Sequence, residues 1–247
     1  MKKLCIFPQE VLKLIACITM LIDHTGAVLF PESLWLRMIG RLAFPIYCFL
    51  LVEGMRKTRS PGKYLIRLFV AIFLAEIPFD FLLFGGFTWE HQSVMVTLFL
   101  GGCMLCAQKN AKEPWIKILL AIIFAMVAEA CYCDYGGYGI AVIAVFGMTE
   151  KWYFRLPLLL VLNLGKDAEY MVNNLSVFQA AGWNTWDAVA RILNIFPPIQ
   201  ILSLAALIPI GLYSGKKLSY SRSLQTGFYL FYPIHLALLL FFANYLL

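Results

Sequence analysis

The sequence predicts an all-α fold, a polytopic integral-membrane helical bundle of about nine transmembrane helices (roughly eight to ten), in one domain over residues 1–247. Three observations carry this. Hydrophobic residues make up 62% of the chain and charged residues 14%, with mean hydropathy +0.79. A soluble domain is nearer half apolar and about a quarter charged. Apolar runs recur along the whole chain, separated by turn residues, and lysine and arginine gather in alternate connections.

The runs fall at about 11–30, 34–55, 64–84, 93–107, 115–132, 137–150, 153–164, 195–213 and 224–246. Pro31-Glu32-Ser33, Arg59-Ser60-Pro61-Gly62, Gly85-Gly86, Gly136-Gly137 and Ser214-Gly215 punctuate them. The sixth and seventh runs are short enough to be tilted, re-entrant or a broken pair. No small-residue cleavage site follows the first run, so it reads as an uncleaved helix.

Orientation follows from the basic residues. Arg56, Lys57, Arg59, Lys63 and Arg67 surround one connection; Lys109, Lys112 and Lys117 flank the next on that side. Lys151 and Arg155 mark the third, and Lys216, Lys217 and Arg222 the last. With Lys2, Lys3 and Lys13 these are 16 of the 20 basic residues, which predicts a cytoplasmic N-terminus in the cell membrane and, with nine spans, Leu247 outside. The loops account for the +6 net charge without a nucleic-acid partner.

Segment 165–194 breaks the pattern on the outer side. It mixes Tyr170, Trp183 and Trp186 with Asp167, Glu169 and Asp187, and reads either as an interfacial amphipathic piece or as a surface loop. Asn174-Leu175-Ser176 matches a glycosylation sequon. Most of the seven cysteines lie in apolar runs and read as small buried hydrophobes, Cys103-x-x-Cys106 included. No metal is expected.

The first run carries Lys13 and the pair Asp23-His24. An ionisable group at membrane depth costs roughly 2.5–3.5 kcal/mol, so it needs a partner or a function. Eleven residues make about three turns and roughly 16 Å of rise, so Lys13 and His24 share a face at different depths. Arg37 and Arg41, four apart, fall level with His24, as do Glu76, Asp80 and Glu129. Glu53, Arg56 and Arg67 fall with Lys13 near the opposite face, and His235 near the middle of the last run. The spacing predicts that Arg37 and Arg41 face Glu76 and Asp80 as buried pairs, which would serve equally as helix pins. Asp23 and His24 point about 100° apart and cannot simply satisfy each other. Trp89, Glu90 and His91 read as an interfacial cluster.

ITMLIDHTGAVLFP, LRMIGRLAFPIYCFLLVEGMRKTRSPGKYLIRL, LAEIPFDFLLF and FYPIHLALL, in that order, resemble the TraX family. The resemblance is strong through most of the first 85 residues and at the C-terminus and weak across about 110–220. That family is named for a conjugation protein that N-acetylates pilin. It is grouped with membrane-bound acyltransferases of the acyltransferase-3 and heparan-acetylating type, whose first helix carries a basic residue, ten residues, then the catalytic histidine. Lys13 and His24 reproduce that spacing. The residues indicate no pilus system, so the conjugation role is not expected here.

The resemblance implies a transmembrane acyltransferase. Acetyl-CoA or another acyl-CoA would be held from the cytoplasm by Lys13, Arg56, Lys57, Lys63 and Arg67. His24 would be base or acyl carrier, oriented by Asp23 or Glu76, with Arg41 stabilising the oxyanion. Arg37, Asp80, Glu129 and His235 would serve substrate or structure. The acceptor would be an extracytoplasmic carbohydrate, peptide or small molecule. A proton-coupled transporter and a non-catalytic membrane assembly protein are the rival readings.

Overall fold

A computed structural model describes residues 6–195, 197–218 and 221–246. Lys2, Lys3, the Arg222 side chain and Leu247, used above for topology, lie outside this description. All regular structure among the described residues is helical.

The helices are α1 (Gln9–Val28), α2 (Leu34–Gly40), α3 (Ala43–Lys57), α4 (Pro61–Phe84), α5 (Val94–Lys109), α6 (Pro114–Ala130) and α7 (Gly136–Met148). Then come α8 (Trp152–Ala180), α9 (Thr185–Ile195), a 3-10 helix (Gln200–Ala206), α10 (Leu207–Gly211) and α11 (Arg222–Leu246).

At the centre is α3, buried on every side from Ala43 to Phe49 save Tyr47, and again through Val52. It packs on α1, α5, α7 and the 3-10 helix, while α11 closes the bundle between α1 and α4. The inner face of α1 is set by helical spacing: Leu12, Ala16, Thr19, Met20, Asp23 and Gly26 are buried, and Leu14, Ile18 and Leu21 are exposed.

Three segments are long and apolar enough to cross a membrane: Gln9–Val28, Leu34–Lys57 and Ser223–Tyr245. The expected count of about nine is not reached on that basis. Helix α4 has the length but carries Lys63, Arg67, Glu76 and Asp80, while α5, α6 and α7 have 16, 17 and 13 residues. The outer faces nevertheless suit hydrocarbon better than water. On α6 only Ala128 is buried, and Trp115, Ile118, Leu119, Ile122, Ile123, Met126 and Val127 are all exposed.

Two expectations are corrected. The second run, though it keeps its membrane-length span, is interrupted by a two-residue turn at Arg41-Leu42 between α2 and α3. Pro45 cannot donate to the Arg41 carbonyl and its ring crowds that carbonyl, so the helix restarts there. The seventh run does not stop at 164: α8 continues to Ala180, a rise of about 43 Å for its 29 residues. Past Gly182, whose φ of 85° ends the helix turn, α9 folds back onto α8 through the buried Ala188 and Ile192. The sequon Asn174 therefore lies within a helix rather than a loop.

Two short backbone clamps tie distant segments. Phe7 pairs with Tyr213, with Ser214 N–H donating to Phe7 O at 2.8 Å. Gln92 pairs with Cys133, with Asp134 N–H donating to Gln92 O at 2.7 Å.

Candidate functional site: two cavities along one helix

Helix α1 presents its polar residues to two cavities. The first, about 240 Å³, is lined by Lys13, Cys17, Glu53, Lys57, Arg67 and Lys217 around an apolar interior that includes Leu50, Leu68, Leu98 and Phe228. The second, about 490 Å³, is lined by Asp23, His24, Arg37, Arg41, Glu129 and His91, with Asp134, Tyr135, Lys166 and Gln200. Asp23, His24, Arg37, Arg41 and Glu129 thus share one chamber and Lys13, Glu53 and Arg67 the other, while Glu76, Asp80 and Arg56 line neither.

In the second chamber, Asp23 is the hub of an ion-pair triad. Arg37 Nη1 donates to its Oδ2 at 2.8 Å, and Arg41 Nη2 donates to its Oδ1 at 2.9 Å. Gly40 permits the approach, because a side chain there would overlap the Asp23 carboxylate. Arg41 Nη1 also reaches Gln200 Oε1 at 3.4 Å. Gln200 in turn donates to Tyr138 Oη at 2.9 Å, and Tyr138 donates to Asn163 Oδ1 at 2.9 Å. One end of the arginine pair is therefore wired into a buried amide network.

His24 is partnered by a histidine. Its Nδ1 lies 2.8 Å from His235 Nε2, and His235 Nδ1 lies 2.9 Å from the Phe231 carbonyl. A carbonyl only accepts, so His235 carries its proton on Nδ1 and offers Nε2 as an acceptor. His24 must then donate from Nδ1, leaving its own Nε2 with a free lone pair. The second histidine fixes the tautomer of the first, as a carbonyl or carboxylate commonly does.

This arrangement corrects several expectations. Neither Asp23 nor Glu76 orients His24: Asp23 is taken by the arginines, and Glu76 accepts from Ser93 Oγ at 2.6 Å. Arg37 and Arg41 do not pair with Glu76 and Asp80. Asp80, 1% exposed, accepts from Thr88 N–H at 3.2 Å. Glu129 accepts from Gly137 N–H at 2.7 Å, a carboxylate at the N-terminus of α7, where the helix dipole favours negative charge.

In the first chamber Lys13 Nζ sits 5.1 Å from the Phe228 ring centroid. Lys57 is held by Glu53 at 2.8 Å, by Tyr213 Oη at 3.1 Å and by Gly215 O at 3.0 Å. Arg56 points elsewhere, to Glu150 at 2.7 Å and Gly147 O at 2.8 Å, and Lys63 is exposed away from the lining. Of the five basic residues expected at the donor, Lys13, Lys57 and Arg67 line the cavity; Lys217 joins them.

Sequence reasoning missed His91, Asp134, Tyr135, Lys166 and Gln200 as neighbours of His24. The run Cys131-Tyr132-Cys133-Asp134-Tyr135-Gly136-Gly137 held a signal. Tyr132 and Tyr135 adopt left-handed backbone (φ 53° and 64°) and both line the cavity, an outlier pattern typical of functional turns. Tyr135 is retained by stacking on Phe44, with centroids 3.8 Å apart. Outside the helices, burial pushes the Asp134 carboxyl above its ordinary range, with His91 and Arg41 drawing it back.

The architecture defines a class: a helical protein with membrane-length apolar helices and two polar cavities set along its first helix. More narrowly, the chain belongs to the TraX family, whose model, described as TraX protein, matches residues 8–243. It is 29% identical over 243 residues to a probable fimbrial assembly protein FimC, serogroup H1, of Dichelobacter nodosus, covering 92% of each chain. It is also 31% identical over 103 residues to an uncharacterized protein, RP591, of Rickettsia prowazekii (strain Madrid E), covering 42% of this chain and 38% of that one. No solved structure matches.

Proposed function

We propose that this chain is a multi-pass membrane protein, with the Lys13 chamber toward the cytoplasm, that serves the assembly of a fimbrial or pilus fibre. The name of the D. nodosus relative supports the assembly role, against the sequence expectation that no pilus system is involved. That name carries no chemistry, and by itself it favours a non-catalytic assembly protein over an enzyme.

One observation favours a catalytic form of the role: the His24–His235 pair, which leaves a base nitrogen on a residue lining the same polar chamber as Arg41. In this reading the Lys13–His24 spacing is used as its resemblance to membrane acyltransferases implies, and an acyl-CoA donor enters through the cationic first chamber. His24 Nε2 takes the proton from an acceptor hydroxyl or amine as its oxygen or nitrogen attacks the thioester carbonyl. The C–S bond breaks, and the proton passes to the departing thiolate. Arg41 would balance charge on the carbonyl oxygen, and His235 keeps the reactive tautomer of His24. Proton-coupled transport would use the same residues but gives no reason for a cationic chamber with an apolar interior.

The test is incubation of the purified protein with labelled acetyl-CoA and a fimbrial subunit, beside the His24→Asn variant. Transfer or hydrolysis by the first and not the second supports the catalytic form. No turnover by either, with fibre assembly intact in cells carrying His24→Asn, leaves the non-catalytic role.

A further inference from the structure

The two chambers are not independent. Met20, Tyr47 and Val94 line both, so these three side chains are the wall between them. Met20 is 6% exposed, and Tyr47 is held in place because its hydroxyl donates to Cys17 Sγ at 3.3 Å. Cys17 belongs to the first chamber alone. Tyr232 also lines the first chamber, and its ring sits edge-on to His24 and His235 with centroids 6.2 and 5.5 Å away. The first chamber thus ends one side-chain layer short of the histidine pair. The wall has few polar attachments: among the described residues only the Tyr47–Cys17 contact is a hydrogen bond from one of its three side chains.

We propose that Met20, Tyr47 and Val94 form a constriction that decides which donor arms reach His24, with Tyr47 released from Cys17 as an arm passes. This deepens the acyl-transfer reading and rests on it for the identity of what passes. A thioester held in the cationic chamber cannot meet His24 Nε2 while the wall is closed, so the reactive end must pass between these side chains. A thin, unbranched arm passes when one phenol turns aside. A branched or aromatic acyl group needs Met20 and Val94 displaced as well, in a bundle whose interior is close-packed. The constriction therefore selects by cross-section, before any contact with the acceptor.

The experiment uses the full chain in proteoliposomes and two readouts. The first does not depend on chemistry: a membrane-impermeant maleimide is applied to one side at a time, and the Cys17 adduct is measured by peptide mapping. The wild-type protein is expected to label Cys17 from the Lys13 side only. Tyr47→Ala should admit the reagent from the His24 side at least tenfold faster, and Tyr47→Phe, which removes only the bond to Cys17, should raise labelling severalfold with an unchanged melting temperature. The second readout is transfer: Met20→Trp should transfer at least tenfold more slowly at saturating acetyl-CoA, while Tyr47→Ala should accept a branched acyl-CoA that the wild type refuses. Equal labelling of wild-type Cys17 from both sides, or wild-type transfer by a folded Met20→Trp, overturns the constriction. Opening by Tyr47→Ala with no transfer by any form supports the constriction and removes the acyl-transfer reading instead.

Discussion

His24 Nδ1 and His235 Nε2 lie 2.8 Å apart although 211 residues separate them, and this contact sets which nitrogen of His24 is free to take a proton. The contact divides the two residues by role. His24→Asn fills similar space without a titratable ring and should lose transfer by about 10²–10⁴-fold at any donor concentration. His235→Phe keeps the ring volume but removes the acceptor, freeing His24 to turn or change tautomer. A loss of roughly tenfold or more in kcat with KM for the donor unchanged is expected, each tenfold being about 1.4 kcal/mol. Equal kcat in His235→Phe and wild type would show that the pair is packing alone.

Gly40→Ala tests whether the ion-pair triad needs its close approach. The added methyl would overlap the Asp23 carboxylate, forcing the arginine pairs apart, so a loss of about 1–3 kcal/mol is expected. Gly165→Ala, in α8 with nothing within 4 Å, is the control and should be neutral or up to about 1 kcal/mol more stable. Thermal unfolding in detergent separates the two; matching shifts would remove the steric argument.

The grouping of several charges was legible in the sequence, because a fixed rise per residue converts spacing into height along a helix, although Glu76, Asp80 and Arg56 join neither lining. Asp23, His24, Arg37 and Arg41 meet in one chamber, and Lys13 and Arg67 in the other, as that arithmetic implies. Partner choice was not legible. It depends on how each helix is rotated about its axis, and four-residue spacing on α2 and α4 is compatible with several rotations. Asp80 was expected to meet an arginine and instead meets the backbone of Thr88, eight residues away. The turn at Arg41 is marked in the sequence only by Pro45, four residues on, inside an apolar run that is otherwise continuous. His235 gave no sign of its partner, since nothing local marks a contact across nearly the whole chain.

Arg37 and Arg41 should fail differently although both bind Asp23. The Arg37 side chain is 31% exposed and Arg41 13%. Arg37→Ala leaves Asp23 the Arg41 Nη2 contacts to Oδ1 at 2.9 Å and Oδ2 at 3.1 Å and should cost about 1 kcal/mol or less of stability, with turnover nearly intact. Arg41→Ala strips a buried partner from Asp23 and one from Gln200, so about 3 kcal/mol or more is expected. If Arg41 also steadies the reacting carbonyl, turnover should fall by about 10²–10³-fold in whatever fraction remains folded. Melting temperature and active-fraction-corrected kcat for both variants decide this, and parallel losses would erase the distinction.

The lysines of the first chamber give the last contrast. Lys57 is already committed to Glu53, Tyr213 and Gly215, whereas Lys13 rests over the Phe228 ring within the cavity lining. A donor phosphate recruiting Lys57 must displace those contacts, while Lys13 can exchange a cation–π contact for a charge-assisted hydrogen bond, worth about 1.5–3 kcal/mol. Lys13→Ala should therefore weaken acyl-CoA binding roughly ten- to a hundred-fold, and saturating donor should restore much of the rate. Lys57→Ala should change donor affinity severalfold at most but loosen the link between α3 and the Tyr213–Gly215 segment, lowering thermal stability. Calorimetric titration of CoA and of acetyl-CoA into both variants, beside their melting temperatures, is the measurement. Should Lys57→Ala prove the weaker binder, the first chamber would hold its phosphate at the Tyr213 end rather than along α1.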